Sequence, residues 1–284
     1  MEYFYTNQLL YLIAVNVIVA LLLLLLFRLR TIFGLSLLFV TLGIFQYLQV
    51  FLTSTLLIEI APNMVVSGSF VLFTSSVFTI LLIYIKEDAL QARKLIYGIL
   101  CANSVLTILL YMVRMGIANK HILTNYNLPE AFFDQSIRVA IVGTLLLFTA
   151  SIFIIFVYEA VSKKVKSLFF RILISSILIL SLDAVLFAIG SFSGEEEIKK
   201  NIISALISKN SAAILYSILF TLYIKYIETN PFIKKPNDKT FNDVFQSLTF
   251  KQKFESVTAE NRLQQNELKD SENRFKTIVE QAAD

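Results

Sequence analysis

Seven apolar runs, each close to 20 residues long, set what this chain can fold into. They cover residues 8–27, 35–57, 68–85, 95–113, 139–160, 168–190 and 203–227. A helix of about 20 apolar residues spans the hydrocarbon core of a bilayer. In that medium a helix satisfies every backbone N–H and C=O within its own segment. The seven runs therefore predict an all-α, polytopic membrane helix bundle. Composition agrees, with 56% hydrophobic and 16% charged residues, against about 25% charge in an average soluble domain. An ordinary water-soluble enzyme, a disordered chain and a disulfide scaffold are excluded. Cys101 is the only cysteine and His121 the only histidine. No intrachain disulfide, thiolate cluster or His-based metal or triad site is expected, and no cofactor. The first run does not read as a signal peptide: Glu2 and no Lys or Arg precede it, and no small-residue cleavage site follows Leu26.

The loops predict orientation. Arg28 and Arg30, then Lys86, Arg93 and Lys94, then Lys163, Lys164 and Lys166, and finally Lys225, Lys234 and Lys235 fall on one side. That side reads as cytoplasmic. Glu2, the short loop with Glu59 and Pro62, the loop 114–138 and the acidic run Glu195, Glu196, Glu197 with Lys199 and Lys200 fall on the other. Seven crossings then put the N-terminus outside and the C-terminus inside. The net charge of +4 says little about nucleic acid, because the positive charge sits mostly in these short loops; membrane lipid is expected as a partner and nucleic acid is not.

After Glu228 the composition changes. Four segments are expected: a transmembrane domain over 1–229, a linker over 230–249 with Pro231 and Pro236, a coiled coil over 250–270, and a different segment over 271–284. Phe254, Val257, Asn261, Gln264, Leu268, Ser271, Phe275 and Ile278 follow an a/d heptad spacing. They predict either a homodimeric cytoplasmic coiled coil with a polar seam or a solvated amphipathic helix. The stretch with Ser271, Glu272, Arg274, Phe275, Ile278, Val279, Glu280 and Asp284 resembles the entry helix of a PAS domain. That resemblance implies a truncated PAS module and an output domain further on.

Charged groups inside spans are expensive and mark functional sites by default. Asp183 lies inside span six, Lys209 in the outer part of span seven and Arg138 at the outer start of span five. Counting 1.5 Å per residue, all three fall in one outer layer, where an Asp–Lys or Asp–Arg pair would neutralise them. Two readings stand: a structural ion pair that fixes helix register, or a ligand pocket that uses the same charges. Asn210, Gln46, Gln49 and Asn103 supply amide donors and acceptors for the second. Arg171 reads as snorkelling to the inner headgroups, and the 25 phenylalanines read mostly as core or lipid-facing.

The membrane part resembles the vitamin uptake transporter superfamily, in particular its queuosine precursor transporter branch. The likeness is carried by Ser67-Gly68-Ser69-Phe70, Ala92-Arg93-Lys94, Arg138-Val139-Ala140, Ser181 to Phe187, and Lys209. It implies a bundle that binds a purine-like 7-deazaguanine base, with Arg138, Asp183 and Lys209 as ligand-binding positions. The chain departs from the pattern late in span three, where the family usually has an acidic residue and Phe78-Thr79-Ile80-Leu81 stands here. The departure bears on both transport and the purine ligand.

The tail and the bundle together point to a ligand-sensing input domain of a bacterial receptor. Such a receptor sits in the inner membrane, binds a small molecule and feeds a histidine kinase or diguanylate cyclase. The rival reading is a transporter for a small heterocycle with a regulatory tail. No acid–base pair or metal constellation lies at a membrane surface, so an enzymatic reading of this chain has no support.

Overall fold

In the computed structural model, residues 2–61, 64–118, 130–192, 198–228 and 265 are described. The chain divides into two compact units, Met1–Asn237 and Asp238–Asp284. Of the second unit only Gln265, in a helix, is described. The heptad seam and the PAS-like segment therefore lie outside the described residues. So do His121, Glu195, Glu196, Glu197, Pro231 and Pro236.

The first unit is a helix bundle. Its helices are α1 (Glu2–Arg28), α2 (Arg30–Phe33), α3 (Ser36–Thr55), α4 (Phe70–Lys86), α5 (Ala89–Ala118), α6 (Glu130–Ser162), α7 (Leu168–Phe192) and α8 (Ile198–Leu222). A π-helical turn, Tyr223–Ile227, ends α8. All the long helices except α4 are long and apolar enough to cross a membrane, six in number. Each carries large apolar residues on its outer surface, among them Ile18, Ile44, Ile108, Leu145, Leu178 and Ile214. Such continuous apolar exposure fits a surface in contact with lipid, and the chain is a multi-pass membrane protein.

The seven apolar runs thus become six long helices and one shorter one. Helix α4 has 17 residues, and every residue from Phe70 to Tyr84 is buried. It packs against α1, α3, α5, α6 and α8. A helix wrapped by protein need not match the lipid thickness itself, and 17 residues span roughly 25 Å at 1.5 Å each.

Two local features depart from the sequence reading. The run 35–57 stops as helix at Thr55. The expected loop is an antiparallel hairpin, β1 (Leu57–Ala61) with β2 (Met64–Ser67), in the register Leu57–Ser67, Ile58–Val66 and Glu59–Val65. A run of Leu, Ile and Val reads equally as span end or strand, so periodicity alone could not separate them. Gly68 lets the hairpin close onto the end of α3: its N–H donates to the Leu56 carbonyl at 2.9 Å, and a Cβ there would meet the Leu56 side chain at 2.9 Å. At the other end, Gly34 turns the chain from α2 into α3 at φ +65°, a conformation glycine adopts without steric cost.

Candidate functional site

A cavity of about 320 Å³ opens in the half of the bundle that carries the hairpin. Side chains from α3, the hairpin, α4, α5, α6, α7 and α8 line it. Leu57, Val65, Val66 and Ser67 of the hairpin are part of this lining.

Helix periodicity explains which residues face inward. On α3, Gln46, Gln49, Val50 and Thr53 repeat at the three- and four-residue spacing that forms one face, and all line the cavity. Their amides are held in place. Gln46 donates to the Leu42 carbonyl at 3.1 Å and accepts from the Asn103 carboxamide at 3.1 Å. Gln49 donates to the Ser76 hydroxyl at 3.4 Å. At the foot of the hairpin, the Ser67, Ser69 and Thr53 hydroxyls hydrogen-bond to one another. These contacts satisfy part of each polar group and leave others facing the cavity.

Lys209 reaches the cavity from α8. Its ammonium donates to the Asp183 carboxylate across the α7–α8 interface. Both side chains are buried, 8% and 3% exposed. The Lys209 Nζ also lies 4.5 Å from the centre of the Phe73 ring and 5.6 Å from that of Phe187. Cations over aromatic faces are attracted by the ring quadrupole, more so when desolvated. Asp183 itself stays behind Lys209, outside the lining. Beside this pair, Ser181 and Asn210 exchange hydrogen bonds at 3.2 and 3.1 Å. Together the two pairs fix the register of α7 against α8.

Of the seven residues singled out from the sequence, Gln46, Gln49, Asn103 and Lys209 line the cavity, and Asp183 supports Lys209 from behind. Asn210 is engaged by Ser181. Arg138 is exposed on α6 and does not join the Asp183–Lys209 pair. The inward face of α6 runs through Gln135, Val139, Ala140, Gly143 and Thr144. Arg138 precedes Val139 by one residue, which turns it about 100° around the helix. Sequence reasoning missed Phe73, Phe187 and the hairpin. Phe187 stands out in the sequence only as the end of the Ser181–Phe187 stretch and Phe73 not at all, because only tertiary packing brings their faces to Lys209. Among the described residues no group of three His, Cys, Asp or Glu side chains could hold a metal ion.

A second charged cluster sits at the opposite end of the bundle, where α8 finishes. Arg30 bridges the carboxylates of Glu87 and Glu228 and lies 4.0 Å over the Phe27 ring. Lys86 donates to the Glu228 carbonyl at 3.0 Å, and Tyr223 donates to its carboxylate at 3.1 Å. Partial burial on its own would raise the Glu228 carboxyl, yet the hydrogen bond and charge of Arg30 outweigh this and hold it below its ordinary value. The Arg30 guanidinium is held above its own ordinary value: burial opposes its charge, and the two carboxylates more than offset that. The cluster fastens the π-turn to α2 and to the C-terminal ends of α1 and α4.

No curated protein and no solved structure gives a match to the chain. A family profile does, over residues 20–224, and its description is vitamin uptake-like sensor. The matched span contains the hairpin, every residue lining the cavity and the Asp183–Lys209 pair. The chain belongs to the vitamin uptake-like sensor family.

Proposed function

We propose that residues 1–229 are the ligand-sensing input domain of a bacterial signal-transduction receptor. The observation that carries this reading is the cavity: about 320 Å³, walled by seven elements, mixed apolar and amide in lining, with one lysine held on its wall by a buried carboxylate. Ligand pockets are clefts of about 300–1,000 Å³ with a few placed polar groups, so the space suits one small, ring-sized molecule. A purine-like or vitamin-like compound fits that description.

Helix α8 supplies the route to the output. It carries Lys209 at the cavity and runs into the π-turn held by Arg30 and Glu228. A ligand that favours one position of Lys209 shifts the equilibrium of the whole helix by its differential affinity for two states. Counting α4 as a crossing gives seven spans, with the N-terminus outside and the C-terminus in the cytoplasm. The shift then passes through the Pro231–Pro236 link to a dimeric helix over 250–281 and on to PAS and kinase or cyclase modules.

The test is binding against flux in sealed proteoliposomes, with a radiolabelled 7-deazaguanine base as first probe and labelled vitamins after it. A sensor gives saturable binding with a stoichiometry near one and no accumulation. Accumulation inside the vesicles beyond the bound amount would make the protein a transporter instead.

A further inference from the structure

The cavity is nearly free of formal charge. Among the described residues that line it, Lys209 is the single charged side chain, and no Asp or Glu reaches the wall. Asp183 cancels that one charge from behind. The sum is zero whether the proton they share sits on the nitrogen or on the oxygen. We infer that the cavity selects an uncharged ring ligand bearing a hydrogen-bond acceptor, and that Asp183 sets this charge selection through Lys209 without touching the ligand. The inference rests on the reading of the cavity as the ligand site.

Consider each ligand charge in turn. An anion would meet an ammonium whose counter-charge is already present, and its own charge would stay uncompensated among low-dielectric helices, where charges interact strongly. A cation would find no carboxylate on the wall at all. An uncharged carbonyl or ring nitrogen needs only a donor. Lys209 has three N–H groups: one is engaged by Asp183, and Phe73 and Phe187 present ring faces around the others. The amides of Gln46, Gln49 and Asn103 offer both donors and acceptors to the remaining edge. Asp183 is therefore a positioning residue that decides the sign of charge admitted.

The probes are matched uncharged and carboxylate rings: nicotinamide with nicotinate, benzamide with benzoate, and indole-3-acetamide with indole-3-acetate. Binding is read by equilibrium dialysis on the purified full chain in lipid nanodiscs. The proteins are wild type, Asp183→Asn, and the charge-free double variant Asp183→Asn with Lys209→Met. Gly143→Leu serves as the cavity control: a Cβ there meets Phe187 at an ordinary 3.8 Å, and the rest of the side chain enters the cavity. Wild type is expected to bind amides at least tenfold more tightly than their carboxylate partners. Asp183→Asn leaves the ammonium as the only charge and should invert the preference, with carboxylates gaining at least tenfold. The double variant should reject carboxylates again, and it tests the idea even if the single variant folds poorly. Gly143→Leu should remove the binding. Wild type binding carboxylates as well as or better than amides, or an unchanged preference in Asp183→Asn, overturns the inference and leaves the ligand site standing. Absence of any binding that Gly143→Leu blocks, in all three proteins, overturns the site reading itself.

Discussion

Breaking the Asp183–Lys209 pair should destabilise the bundle far more than removing it whole. Asp183→Asn strands an ammonium that is 8% exposed, and Lys209→Met strands a carboxylate that is 3% exposed. The Asp183 Oδ1 already has no hydrogen-bond partner, so the stranded carboxylate has little else to turn to. Removing one partner of a buried pair costs about 3–5 kcal/mol. A charge at the centre of a membrane helix costs about 2.5–3.5 kcal/mol on insertion scales. Each single variant should therefore lose about 3 kcal/mol. The double variant carries no charge and nearly conserves volume, and such swaps cost under about 1.5 kcal/mol. Its methionine also keeps a sulfur contact with the Phe73 face, which offsets part of the lost cation–π attraction. The coupling between the two positions, the two single losses less the double loss, comes to about 4.5–6 kcal/mol. Neutral hydrogen-bonded pairs in membrane bundles average about 0.6 kcal/mol, so the value distinguishes an ion pair from an ordinary bond. Steric-trap unfolding in bicelles of the wild type, both singles and the double measures it. Losses that add to within about 0.5 kcal/mol, as independent sites do, would refute the pairing.

Three further outcomes are expected, the first two from the sequence pattern and the third from the charged cluster at the end of α8. Reporter fusions should place Glu2 and the loop 119–133 outside and Lys164 and Lys239 inside; a cytoplasmic signal from 119–133 would overturn the orientation. In a Cys101→Ser background, single cysteines at Val257 and Leu268 should crosslink into dimers while neighbouring off-seam positions do not, and uniform crosslinking would reject the seam. Glu228→Gln should loosen the last turn of α8, seen as hydrogen exchange at Tyr223 to Glu228 that is about tenfold faster for each 1.4 kcal/mol lost. The pH dependence has a definite sign. A carboxyl held below its ordinary value stabilises the fold above the carboxylate range and stops doing so as pH falls through its folded pKa. The opening of this turn, read as exchange corrected for its intrinsic pH dependence, should stay flat near neutral pH and increase only in acid, with a smaller acid rise in Glu228→Gln.

The apolar runs made the membrane bundle readable because a bilayer forces helices on any spanning chain. The limit appeared at residues 56–67, where strand and span end share the same residue types. Asp183 and Lys209 were legible because charge in an apolar run is rare and depth can be counted along each helix. Arg138, nearer the end of its helix, counts into their layer only through its long side chain, and it does not share their face; depth is a one-dimensional quantity, while facing depends on how α6 is rotated in the bundle. Arg30 reads as a loop charge, and its pairing with Glu87 and Glu228 was not legible, since their convergence requires three chain segments far apart in sequence to meet. Neither Phe73 nor Phe187 carried a signal of its aromatic contact with Lys209, although Phe187 closes the Ser181–Phe187 stretch.

The occupancy of the cavity is the most direct measure of the sensing role. Wild-type protein and Gly143→Leu, both in nanodiscs, would be equilibrated with a bacterial small-molecule extract, washed and extracted for mass spectrometry. A ligand-sensing cavity retains one or a few small ring compounds near one per chain in the wild type and loses them in Gly143→Leu. Identical retention by both proteins would contradict the claim that this cavity is where the protein senses its ligand.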